Sequence, residues 1–97
     1  MALTITGRLI RSTDTRHTAV LVHFDAGDAW RVSWLPGRLM DRNAAVSAMM
    51  IAQAAGAGLE PGDRRWPHID GWAAELGLAG PDAVVRASEP PETEAGQ

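Results

Sequence analysis

The chain reads as a small α+β domain, a three-stranded antiparallel β-meander followed by two α-helices packed on one sheet face, in the order β-β-β-α-α. Three observations predict this. The first third alternates apolar and polar residues with the period of two that marks half-buried strands. Turn-forming residues interrupt the alternation at short intervals, which favours hairpins. The period then changes: an apolar run extends from Ala44 to Ala55, and a stripe from Ile69 to Leu76 recurs at helical spacing.

The first strand is expected over 3–10, with Leu3, Ile5 and Leu9 on one face and Thr4, Thr6 and Arg8 on the other. Ser12-Thr13-Asp14-Thr15 supplies turn chemistry, and 17–24 forms the second strand. Asp25-Ala26-Gly27-Asp28 closes a hairpin onto a third strand over 30–34, where Trp30, Val32 and Trp34 oppose Arg31 and Ser33. Pro36-Gly37 ends that strand. Asp41 stands where an N-cap is needed, its carboxylate placed for the free N–H groups of a first helical turn. Between Arg42 and Glu60 there is no charged side chain, so the first helix is apolar almost all round. Such a helix is enclosed or faces a partner. Gly56 and Gly58 supply its stop.

The second helix is expected over 66–77, with Pro67 at its first position and Ile69, Trp72, Ala73 and Leu76 forming one stripe. Gly71 lies inside it at a propensity cost of about 1 kcal/mol, which close packing against a neighbour would offset. Residues 81–86 suggest a short helical turn. The domain is thus expected over 1–87. Residues 88–97, acidic, Pro-containing and without large apolar side chains, read as a disordered tail.

Composition narrows the function. A chain of 97 residues builds one domain and one modest core, with no room for a deep cleft. The absence of cysteine excludes disulfides and thiolate zinc sites. The N-terminal residues lack the apolar core of a secretory signal, and the apolar helix, at about 12 residues, falls short of the roughly 20 that span a bilayer. A cytoplasmic setting without membrane contact is therefore expected. All nine basic residues are Arg, which suggests a GC-rich genome. Charge is uneven. Residues 1–42 hold six Arg against four Asp, a balance of +2, whereas residues 43–97 hold three Arg against eight acids, a balance of −5. An acidic second half argues against broad nucleic-acid binding, which needs concentrated positive charge.

No catalytic, cofactor or metal constellation is evident. His17 and His23 are six residues apart on one strand, hence roughly 20 Å at ~3.3 Å per residue, too far to share a metal. His68 and Asp70 do not share a helical face. No Ser lies in a nucleophile elbow, and Gly56-Ala57-Gly58 follows a helix, whereas phosphate loops precede one. The chain is expected to bind and not to catalyse, with no cofactor. The first candidates are the apolar helix at Met49 and Met50, or the Trp66 region with Arg64 and Arg65. Met adapts to partners, and Trp and Arg are enriched at binding hot spots. The partner is a protein or a second copy in a homodimer. The alternative is nucleic acid on a sheet face carrying Arg8, Arg11, Arg31 and Arg38, with His23 beside them. Trp30 and Trp34 are expected in the core.

The blocks Trp30-Arg31-Val32-Ser33-Trp34-Leu35-Pro36-Gly37-Arg38, Asp41-Arg42-Asn43-Ala44-Ala45 and Trp66-Pro67-His68-Ile69-Asp70-Gly71-Trp72-Ala73-Ala74-Glu75-Leu76 resemble a group of short proteins of actinobacteria and of their phages or mobile elements, a group with no assigned activity. The resemblance covers roughly residues 20–90. It implies a bacterial cytoplasmic setting and transfers no functional residue.

Overall fold

The computed structural model of the chain describes residues 3–90. Five strands form one antiparallel sheet in chain order: β1 (Leu3–Ile5), β2 (Leu9–Ser12), β3 (Thr18–Phe24), β4 (Gly27–Val32) and β5 (Leu39–Met40). Three helices follow: α1 (Arg42–Ala57), α2 (Trp66–Glu75) and α3 (Gly80–Ser88). The class is α+β, as expected, but the meander has five strands instead of three and the helices number three instead of two.

The stretch expected as one strand over 3–10 is a hairpin. Thr6 turns it. Its hydroxyl accepts the N–H groups of Arg8 at 3.3 Å and Leu9 at 3.0 Å, and its own N–H donates to the Leu9 carbonyl at 2.8 Å. A side chain that satisfies the backbone locally competes with the extended ladder. The turn also changes the phase of the pattern: Ile5 pairs with Ile10, and Leu9 pairs with Val20. Ile10 therefore enters the core and Leu9 moves to the opposite face, because a slip of one residue exchanges the two faces of a strand. At two residues, β5 is too short to leave a periodic signal. β4 ends at Val32, so Trp34 lies in the following turn. It is nonetheless buried, and its indole N–H donates to the Ala48 carbonyl of α1 at 3.1 Å.

α1 starts where Asp41 accepts the Ala44 N–H at 2.8 Å. It rests on the sheet against β2, β3 and β4, while α2 and α3 pack on α1 and on each other. The expected pair of helices side by side on the sheet is thus corrected: α1 makes the principal helix–sheet contact, and the α2–α3 pair backs it. Ala45, Ala48, Met49, Ile51 and Ala52 are fully buried. Enclosure from two sides is the physical reason why this helix has no polar stripe.

Gly56 does not end α1. It lies inside the helix where the chain passes the β2–β3 loop, and a Cβ there would stand 1.7 Å from the Asp14 carbonyl oxygen. The stop is Gly58, whose φ of +90° suits glycine. Ile69, Ala73 and Leu76 of α2 are buried and Trp72 half-buried, as the stripe predicts. Gly71, by contrast, serves no close packing, since an added Cβ meets nothing within 4 Å. The expected helical turn over 81–86 is α3, with Ala83 and Ala87 buried. Ser88 is the last residue of this helix, and of the tail expected over 88–97 the residues 91–97 lie outside the described residues.

His17 pins the end of α3 to the sheet. The side chain is buried, its Nε2 donates to the Glu89 carbonyl at 2.6 Å, and its Nδ1 lies 2.8 Å from the Ser33 hydroxyl. That hydroxyl also accepts the Thr18 N–H at 2.9 Å, so one network joins β3, the turn after β4 and α3.

The two helical glycines predict opposite outcomes. Gly56→Ala should destabilise the protein by about 1–3 kcal/mol, because backbone must move to admit the methyl. Gly71→Ala should stabilise it by about 0.5–1 kcal/mol through helix propensity. Urea denaturation of both variants checks this, and shifts of the same sign would contradict the packing described.

Candidate interaction surface

The register fixes which residues share the sheet face turned away from α1. Three rows of paired residues run across it: Thr4–Arg11–Thr18, then Leu9–Val20–Arg31–Leu39, then Val22–Ala29, with Phe24 and Gly27 beyond them at the hairpin end. Val20, Phe24 and Leu39 are 44%, 47% and 47% exposed. Leu9 and Val22 are half-buried. Along β3 the inward residues are Ala19, Leu21 and His23, and the outward ones Thr18, Val20, Val22 and Phe24. Strands that are apolar on both faces are those covered on both faces. Here the helices cover only one.

The charge on this face is of one sign. Arg11 stands opposite Thr18 from β2, and Arg31 opposite Val20 from β4, so the two exposed guanidinium groups flank β3 from either side. Among the described residues, none of the strand positions on this face is a carboxylate. The four-Arg face expected from sequence is corrected to this pair. Arg8 lies in the β1–β2 turn, and Arg38 lies in the β4–β5 connection, where its N–H donates to the Leu35 carbonyl at 3.3 Å. His23 does not join them either. It belongs to the helix side of the sheet by register and sits 2.6 Å from Asp28.

Met49 is fully buried between the sheet and α2–α3 and offers nothing to a partner; Met50 beside it is half-buried. Arg65 and Trp66 fold back to hold the α1–α2 connection. The Arg65 guanidinium donates to both Asp63 carboxylate oxygens at 2.9 and 2.7 Å, and to the Gly58 carbonyl at 2.7 Å. The Arg65 N–H adds a bond to Asp63 at 2.9 Å, and the Trp66 indole donates to the Glu60 carbonyl at 2.7 Å while its ring packs against the core. Bonds from the Arg65 side chain, then from its backbone, hold the Asp63 carboxyl at about 2, below its usual 3.8. Arg64 is exposed beside this clip.

The remaining polar groups do not form a reactive constellation. Two depressions of about 540 and 550 Å³ meet at His17, Glu89 and Pro90, and neither includes His68 or Asp70. His68 instead stacks on Trp72, with ring centroids 6.0 Å apart. Among the described residues, no group of three or more His, Asp or Glu is arranged to hold a metal ion, and no helix is long and apolar enough to cross a membrane.

The outward apolar residues Leu9, Val20, Val22, Phe24 and Leu39 did not stand out in the sequence. One signal for them was present: the unbroken run Ala19–Val22, ending at Phe24, is too apolar for a strand with a wet face. No protein-family model, curated protein or solved structure matches the chain.

The Asp63–Arg65 clip predicts a pH dependence. Because the folded carboxyl titrates below its ordinary value, its stabilisation is present in full above pH 3.8 and is lost as pH falls toward 2. Asp63→Asn removes this contribution. The stability difference between wild type and Asp63→Asn, measured by urea denaturation, should be constant at neutral pH and shrink between pH 3.8 and 2. A difference unchanged at pH 2 would contradict it.

Proposed function

We propose that this protein is a small non-catalytic interaction domain whose binding surface is the open face of the sheet. One observation carries the reading: β3 has the composition of a strand covered on both faces, its outward residues Val20 and Phe24 are about half exposed, and Leu9 of β2 pairs directly beside Val20. Isolated apolar residues on a surface need no explanation, but a contiguous group across neighbouring strands marks a contact site. The occupant is another protein or a second copy of this chain. Met50 and Arg64 lie elsewhere and are spectators in this reading.

Nucleic acid is the alternative. It is favoured by Arg11 and Arg31, whose face has no carboxylate among the described strand residues. It is disfavoured by the single aromatic, Phe24, since base stacking relies on aromatic platforms and Val or Leu supply none.

Affinity capture with the tagged protein from a bacterial lysate at low salt, with and without nuclease, separates these. Partners that persist through nuclease and are lost from Val20→Asp and Phe24→Asp support the interaction domain. Both positions are exposed, so the variants should melt within a few degrees of wild type, as surface substitutions of about 0.5 kcal/mol do. Sedimentation velocity of the same proteins tells self-association from a foreign partner. Partners indifferent to both substitutions would refute the reading, and recovery of nucleic acid would favour the alternative.

A further inference from the structure

We infer that the occupant of the open sheet face is an amphipathic helix of another protein, laid along β3 with its apolar stripe on Val20, Val22 and Phe24 and carboxylates on both flanks that meet Arg11 and Arg31. This rests on the proposed interaction domain and names the partner's chemistry.

Geometry selects a helix. Strands are spaced about 4.8 Å, so β2 and β4 stand about 10 Å apart across β3, close to the 10–12 Å diameter of a helix with its side chains. A helix centred on β3 therefore covers that strand and leaves residues of β2 and β4 along its two sides. Arg11 and Arg31 are those residues, one on each side. From Thr18 to Phe24, β3 spans about 20 Å, the length of roughly 13 helical residues. Adding a strand at an edge is the poorer alternative, since β1 has three residues and β5 two, which leaves few backbone groups for a ladder.

Charge complementarity selects the flanks. Both guanidinium groups on this face have no carboxylate among the described strand positions around them, so a basic-flanked helix is repelled and an acidic one steered in. The same charges argue against a second copy. Two open faces brought together about a two-fold axis through the strip between Arg11 and Arg31 would set the Arg pair of one against that of the other. The helical side of a second copy is no better. Among the described residues of α1–α3, Val85 is the one exposed large apolar side chain, too little to fill a site presenting Val20, Val22 and Phe24.

The test is selection of displayed helical peptides with a fixed Leu stripe and flanks randomised among Glu, Gln, Ser and Lys. The baits are wild type, Arg11→Glu/Arg31→Glu and Val20→Asp/Phe24→Asp, each checked for its native melt. Selected peptides are then resynthesised with a fluorophore for anisotropy, alongside a single-stranded oligonucleotide. The expected result is enrichment of Glu flanks on wild type, with affinity about tenfold above the Lys-flanked counterpart, the size expected of two partly solvated ion pairs. The double Arg variant should reverse the preference, and the Val20/Phe24 variant should retain no peptide. Peptides enriched without regard to flank charge, yet lost from the Val20/Phe24 variant, would overturn the acidic partner and leave the interaction domain standing. Tight oligonucleotide binding with no peptide enrichment would overturn both. Peptide binding indifferent to all four substitutions would place the docking surface elsewhere and overturn this inference.

Discussion

The structure depends on enclosing one helix. From Asn43 to Leu59 the chain has no charged side chain, so α1 cannot turn any broad side to water. The sheet takes one side and the α2–α3 pair the other. Met49 and Ile51, both fully buried, contribute about 1.5–3 kcal/mol each by leaving water. The alanines contribute less by area, but let neighbours approach closely on every side. Gly56 takes that to its limit, where the helix passes the β2–β3 loop with no space for a methyl.

The connections follow from this requirement. After α1 the chain must turn back to place α2 on the far side, and it does so through residues 58–65, which have no apolar run to anchor them. Polar bonds take over. Asp63 gathers the side chain and backbone of Arg65, Arg65 also reaches the Gly58 carbonyl, and Trp66 closes onto Glu60. At the other end His17 holds Glu89. Arg65 and Trp66, two of the residues suggestive of an interface in the sequence, are therefore occupied in keeping the helical layer in place. An Arg-Arg-Trp cluster in a loop reads the same whether it meets a partner or its own backbone, because pairing to Asp63, Gly58 and Glu60 is a matter of turn geometry.

Much of the fold was legible, and what was missed has local causes. The caps and periods of α1 and α2 showed because Asp41, Pro67 and the stripe from Ile69 to Leu76 act within a few residues of themselves. The buried Trp30 and Trp34 were legible for the same reason. The β1–β2 hairpin was hidden by Thr6, whose hydroxyl does the work of a turn while its identity fits a strand. That error moved Leu9 to the wrong face and, with it, concealed the outer apolar row. The candidate site was legible only in its charges: Arg11 and Arg31 were expected on a shared face and share one, but Leu9 and Val20 become neighbours through a pairing between β2 and β3 that no local pattern encodes.

An apolar open face is a hazard as well as a surface, since like sheets can stack on it or extend it at the edges. This sheet limits both routes. Its edge strands are three and two residues long, and β5 follows a connection containing Pro36 and Gly37. Across the face, Arg11 and Arg31 stand over the strands on either side of β3, so an identical face arriving from solution meets its own charge before its apolar rows touch. In the proposed reading, the same pair draws in a helix with acidic flanks, which forms its ion pairs on both sides while filling the strip between them. A wholly apolar face would bind more strongly and less selectively. Two arginines at this spacing reduce the attraction of the face for itself, and under the proposal they leave its attraction for a partner with acids on both sides.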